Sequence, residues 1–109
     1  MDIRELFKKS ELIPAVVQDV DSHELLMVGF VNEQALKLTI ETKTAWFWSR
    51  SRNKLWNKGE TSGNFLTVKK IVADCDNDTV QYLCKPCGPV CHTGNMNCFF
   101  NLIWEDEHE

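Results

Sequence analysis

Ala15-Val16-Val17-Gln18-Asp19-Val20-Asp21-Ser22-His23-Glu24-Leu25-Leu26-Met27-Val28-Gly29-Phe30-Val31 is the segment that settles the fold class. Residues 15–20 and 25–31 are short apolar runs carrying several valines, a composition that suits a pleated, half-buried surface. The polar residues between them, Asp21 to Glu24, read as a turn, so the segment predicts a β-hairpin. Its longer apolar run is far below the ~20 residues that span a bilayer.

The flanks extend this reading. Asn32 follows the second run and predicts an N-cap for a helix from Glu33 to about Thr42, with Ala35, Leu36, Leu38 and Ile40 as an imperfect apolar face. Asp2 predicts the cap of a short helix presenting Ile3, Leu6 and Phe7. Ala45 to Ser49 reads as a strand with Trp46 and Trp48 on one face. Residues 50–64 are polar, basic and glycine-bearing, and read as loop. Further strands are expected at Phe65–Ala73, Thr79–Leu83 and Cys98–Trp104. Pro86, Gly88, Pro89 and Gly94 mark residues 84–98 as largely loop. There is no repeat and no linker. The expected class is α+β, β-rich, a single domain over residues 1–109 built mostly on antiparallel strands.

A chain of 109 residues buries only about two-thirds of its extended surface, so a metal site or a partner subunit helps its stability. Twelve basic and sixteen acidic residues leave a net charge of −4. Glu105, Asp106, Glu107 and Glu109 account for the excess, and the remaining body is neutral. A neutral body lacks the basic footprint of a nucleic-acid binder. Met1 to Glu5 is charged where a secretory signal would turn apolar. The expectation is a soluble, cytoplasmic protein with neither nucleic acid nor membrane as partner. Five cysteines, all between 75 and 98, are too clustered and odd in number for a disulfide framework. In a reducing compartment such a cluster points to metal binding or catalysis; the plainer alternative is buried, inert thiols.

Three constellations carry chemistry. In Asp74-Cys75-Asp76-Asn77-Asp78, an extended backbone would turn three carboxylates one way and the thiol the other. Carboxylates gathered in this way suit a hard cation such as Mg²⁺ or Ca²⁺. An EF-hand is excluded, because its sixth position is Thr79 and its twelfth is Lys85. A solvated acidic turn is the simpler alternative. The second constellation is Cys84-x2-Cys87-x3-Cys91-His92-x5-Cys98, whose thiolates suit zinc. Spacing alone favours Cys84 and Cys87 as a half-site, although a zinc ribbon needs a second such pair. The same two cysteines resemble a thioredoxin motif, but Gly88 and Pro89 oppose the helix that motif requires. His92, directly after Cys91, is a candidate for proton transfer, whereas His23 lies in a turn and His108 in the tail. The third constellation is Ser49 to Asn64, with five basic residues between Glu41 and Glu60 and no acid. Arg50, Arg52, Lys54 and Lys58 offer phosphate partners, and Gly59-Glu60-Thr61-Ser62-Gly63 offers backbone N–H groups and hydroxyls. A solvated basic loop, or a grip on single-stranded nucleic acid, would use the same residues.

Taken in order, Ser49-Arg50-Ser51-Arg52, Leu55-Trp56-x-Lys58-Gly59-Glu60-Thr61-Ser62-Gly63, Asp74-Cys75-Asp76-x-Asp78, Cys91-His92-Thr93-Gly94 and Cys98-Phe99 closely resemble the phosphoribosyl-AMP cyclohydrolase family of histidine biosynthesis. The resemblance runs from about Ala15 to Trp104. It implies an intertwined homodimer with sites at the subunit interface. The implied reaction is hydrolytic opening of the adenine ring of N1-(5-phosphoribosyl)-AMP at the N1–C6 bond. It implies zinc on Cys75, Cys91 and Cys98, and magnesium on Asp74, Asp76 and Asp78. Three thiolates leave zinc's fourth position for water, and His92 is the candidate base. The two substrate phosphates would meet Arg50, Arg52, Lys54 and Lys58, with Glu60, Thr61 and Ser62 beside them. Related enzymes often carry a fused pyrophosphohydrolase domain, which is not expected here. Cys84 and Cys87 fall outside the family pattern, and Asn97 stands where Ser is common.

Two competing readings use other residues. A zinc module for nucleic acid would close a four-thiolate site on Cys84, Cys87, Cys91 and Cys98. A thiol oxidoreductase would use Cys84 and Cys87. Cys75 belongs to the site only in the cyclohydrolase reading.

Overall fold

The computed structural model describes residues 2–107, so His108 and Glu109 lie outside the described residues. The predicted hairpin is present: β1 (Ile13–Asp19) and β2 (Leu25–Val31) pair antiparallel, with Ile13 opposite Val31 and Val16 opposite Val28. The Asp19 carboxylate closes the turn by accepting from the Asp21 and Ser22 N–H groups at 2.8 and 3.1 Å. α1 (Glu33–Thr42) begins where Asn32 predicts, with the Asn32 side chain accepting from the Ala35 N–H at 2.8 Å. Its buried face is narrower than expected, made of Ala35, Leu36 and Thr39, while Ile40 is half exposed. Thr39 is tolerated in the core because its hydroxyl bonds the Ala35 carbonyl at 2.9 Å and the Tyr82 hydroxyl at 3.2 Å. The N-terminal helix capped by Asp2 is a 3-10 helix, Ile3–Phe7, with Leu6 buried.

β3 (Trp46–Ser49) carries Phe47 inward, with Trp46 and Trp48 on the other face. Its partner β4 (Lys54–Asn57) falls inside the segment expected to be loop. Lys54-Leu55-Trp56-Asn57 is too short and polar to declare itself, and cross-strand contact supplies what local pattern does not. The Trp56 ring lies 5.5 Å from that of Phe47.

β5 (Leu66–Ala73) and β6 (Val80–Pro86) pair antiparallel, and β6 pairs parallel with β1. The main sheet thus runs β2-β1-β6-β5 and β3-β4 forms a second, two-stranded sheet. The class is α+β, strand-rich, with one α-helix among the described residues. Leu6, Ile13, Val17, Leu26, Leu36, Phe47, Leu66, Val80 and Tyr82 form one core shared by both sheets and the helix.

The strand expected at Cys98–Trp104 does not form. The segment is irregular, and Leu102, Ile103 and Trp104 are 76, 97 and 76% exposed. A strand needs an edge to pair with, and this stretch has its one backbone bond to the sheet at Cys98 N–H to Leu26 O, 2.9 Å. The Cα radius of gyration is accordingly 14.5 Å, against about 13 Å for a compact chain of this size. No helix among the described residues is long and apolar enough to cross a membrane.

Candidate active site

The loops after β4 and β6 face each other across a cleft of about 400 Å³. One wall is Trp56, Lys58, Gly59, Thr61, Ser62 and Asn64; the other is Pro89, Val90, Cys91, His92 and Gly94. Gly59 has φ +100°, and a Cβ there would sit 2.6 Å from the Phe65 nitrogen, so only glycine fits this turn. Gly88 lets the two walls meet, since a Cβ on it would lie 2.6 Å from Asn64 Oδ1. The Cys87 thiol joins the same seam by donating to the Phe65 carbonyl at 3.2 Å.

The second wall is a self-bonded loop. The Cys91 N–H bonds Asn95 O at 3.0 Å and the Gly94 N–H bonds Cys91 O at 3.0 Å. The Thr93 hydroxyl donates to Cys91 Sγ at 3.1 Å, and Asn95 Nδ2 donates to that hydroxyl at 2.8 Å. The Thr93 hydrogen bond stabilises a thiolate, and it holds the Cys91 thiol below its ordinary pKa. Cys98 is its neighbour, raised by desolvation and then by the Cys91 charge. The Lys58 ammonium, across the cleft, favours the thiolate form of both by a smaller amount. His92 is exposed on the cleft rim.

The other predicted residues fall into two groups. Arg50 and Arg52 sit on the β3–β4 turn and Lys54 begins β4, and none of the three lines this cleft; the Arg50 guanidinium stacks 3.9 Å over the Phe30 ring. Glu60 is exposed beside the glycine turn, with Thr61 and Ser62 in the cleft wall. The carboxylates of Asp74, Asp76 and Asp78 do converge, with ligand oxygens within 4.8 Å of one another. The cause is a tight turn and not the extended alternation expected. Asn77 adopts φ +57°, and Asp74 Oδ1 accepts from the Asp78 and Thr79 N–H groups at 3.1 and 3.2 Å. Those backbone bonds, the Asp78 one foremost, lower the Asp74 pKa, whereas Asp78 and Asp74 crowd Asp76 and raise it.

Among the described residues only these aspartates form a three-ligand group within one chain, so Cys75 does not close on Cys91 and Cys98 there. Cys84 and Cys87 do not form the half-site that spacing favours. Cys84 faces the core from β6, where burial pushes its thiol up to about 12. Cys87, just past the end of β6, is exposed and donates to the Phe65 carbonyl. With Cys84 inside a strand, the helix that a thioredoxin motif requires is also missing.

A thiol, an imidazole, a lysine and a glycine-bearing hydroxyl turn thus line one cleft, the kind of constellation found in enzyme sites. The family model for phosphoribosyl-AMP cyclohydrolase matches residues 27–100. A phosphoribosyl-AMP cyclohydrolase of Cenarchaeum symbiosum is 53% identical over 96 residues, covering 88% of this chain and 89% of the relative. That of Streptococcus gordonii is 49% identical over 100 residues, 92% of this chain and 88% of the relative. That of Clostridium botulinum is 53% identical over 98 residues, 89% of each. The chain belongs to the phosphoribosyl-AMP cyclohydrolase family, a family of hydrolases.

Proposed function

We propose that this chain hydrolyses N1-(5-phosphoribosyl)-AMP, opening its adenine ring at the N1–C6 bond as a step of histidine biosynthesis in the cytoplasm. The observation that carries the reading is the cleft in which Lys58, Thr61 and Ser62 oppose Cys91 and His92. Lys58, the two hydroxyls and the turn's N–H groups bind phosphate. Alkylation at N1 leaves C6 electron-poor, and water adds there as the His92 imidazole accepts its proton. The donor set fits zinc: Cys91 is biased toward thiolate, Cys98 lies beside it and Cys75 supplies a third sulfur. Bound there, zinc supplies a Lewis acid that makes water acidic. The aspartate turn offers hard oxygens suited to Mg²⁺. The expected result is absorbance-monitored turnover of phosphoribosyl-AMP, none of AMP, and loss of turnover on zinc chelation. A folded, zinc-loaded protein without turnover would overturn the assignment.

The working form in this reading is a homodimer. Two observations support it: Cys75 lies apart from Cys91 and Cys98 in one chain, and Leu102, Ile103 and Trp104 of the tail are largely exposed on their own chain, with Phe99 and Phe100 half exposed. A second copy answers both, giving Cys75 to its neighbour's cysteine pair. Mixing inactive Cys75→Ser with inactive Cys91→Ser then rebuilds one intact site in each mixed dimer. Random exchange should restore about a quarter of wild-type activity, since half the dimers carry one good site of two. No recovery after verified exchange, or a fully active monomer in sedimentation, would refute the shared site.

A further inference from the structure

The three carboxylates of the Asp74–Asp78 turn would repel one another without a counter-charge. Among the described residues, the cation paired with them comes from far away in sequence. Lys9 Nζ lies 3.8 Å from Asp76 Oδ2 and 3.5 Å from Asp78 Oδ2. Its placement is built into the fold. Leu6, 3% exposed, anchors the 3-10 helix just before it, and Ile13, 2% exposed, starts β1 just after it. Ile3 and Phe7 pack against the same core. The backbone around Lys9 is therefore pinned on both sides, which keeps its ammonium at high local concentration beside the carboxylates. The pairing is also loose. Both distances exceed the ~2.8 Å of a close charge-assisted hydrogen bond, and the lysine side chain is 63% exposed.

We infer that Lys9 is a tethered counter-ion of the aspartate turn, which a divalent cation must displace in order to bind. This rests on the proposed reading of Asp74, Asp76 and Asp78 as a cation site. A lysine ammonium is a monovalent, strongly hydrated point charge, so it screens the carboxylates without occupying an inner coordination position. A hard divalent ion takes carboxylate oxygens directly and brings its own waters. The two compete for the turn, because the ammonium lies within 3.8 Å of carboxylate oxygens of both Asp76 and Asp78, and an incoming dication meets its positive charge there. Lys9 thus quiets the cation-free turn and weakens the apparent affinity for the ion.

The test is Mn²⁺ binding by the zinc-loaded full chain, read by the free-ion paramagnetic resonance signal and independent of turnover. Wild type, Lys9→Met, Lys9→Arg and Asp76→Asn are compared. Lys9→Met should bind Mn²⁺ about threefold more tightly at low ionic strength, in keeping with a solvent-exposed pair. The gap should close at ~0.5 M KCl, where charges this exposed are screened. Lys9→Arg should stay close to wild type. Equal or weaker binding by Lys9→Met, with Asp76→Asn still abolishing it, overturns the role of Lys9 and leaves the aspartate site standing. No Mn²⁺ binding by any of the proteins, Lys9→Met included, overturns both.

Discussion

Cys91→Ser, Cys98→Ser and Cys75→Ser should each lose zinc and activity together, while Cys84→Ser and Cys87→Ser keep about one zinc per chain. Removing even an outer partner of a bound metal costs ~10–100-fold in affinity, and removing a direct thiolate costs more. Losses beyond about 100-fold are therefore expected in the first group. The structure separates the two groups by environment. Cys91 accepts a hydrogen bond that favours its thiolate, and Cys98 lies beside it. Cys84 is fully buried, and burial keeps its thiol neutral. Its replacement perturbs packing, typically by ~1 kcal/mol, and not ligation. The Cys87 thiol donates to the Gly63 and Phe65 carbonyls, a role that a serine hydroxyl preserves in kind. Zinc content by atomic absorption, taken with turnover, decides the matter. Loss of zinc in Cys84→Ser and Cys87→Ser with retention in Cys75→Ser would make the site a four-thiolate module and end the cyclohydrolase reading of the cysteines.

His92→Ala should keep its zinc and its fold but lose turnover by about 10²–10⁴-fold, the usual contribution of a positioned general base. The loss should fall on kcat, with KM nearly unchanged, because a proton acceptor acts on the chemical step. The local structure makes the experiment clean. The Cys91–Asn95 and Gly94–Cys91 backbone bonds and the Thr93 contact to Cys91 hold the loop without using the imidazole. Retained zinc with a rate within a few-fold of wild type would remove His92 from the proton-transfer role. Loss of zinc would make it a ligand or a loop support instead.

Much of the architecture is written in short-range signals. The β1–β2 hairpin follows from two apolar runs around a polar turn, and α1 starts at Asn32 because an asparagine side chain can satisfy an orphan N–H. The family motifs likewise mark the glycine loop, the three aspartates and the Cys91-His92 loop, although the tight turn that gathers the aspartates is seen only in the structure. These features depend on residues a few positions apart, whose preferences the chain carries with it. The tertiary structure decides what depends on the residue opposite. Lys54–Asn57 becomes a strand because β3 offers it an edge and Phe47 a ring to lean on. Cys98–Trp104, more apolar and more strand-like, stays irregular because it touches the edge strand β2 at the Cys98 N–H to Leu26 O bond and then runs clear of the sheet, leaving Leu102, Ile103 and Trp104 exposed. Cys84 and Cys87 have ligand spacing, yet the strand that carries Cys84 buries it in the core. Of the four candidate phosphate-binding cations only Lys58 lines the cleft, because the β3–β4 turn holds Arg50 and Arg52 elsewhere and Lys54 lies at the far end of β4. Lys9 meets Asp76 and Asp78 across more than sixty residues, a proximity set by core packing of Leu6 and Ile13. Sequence spacing fixes what neighbours can do, but charge and metal chemistry act through space, and only the packed chain brings distant groups within reach.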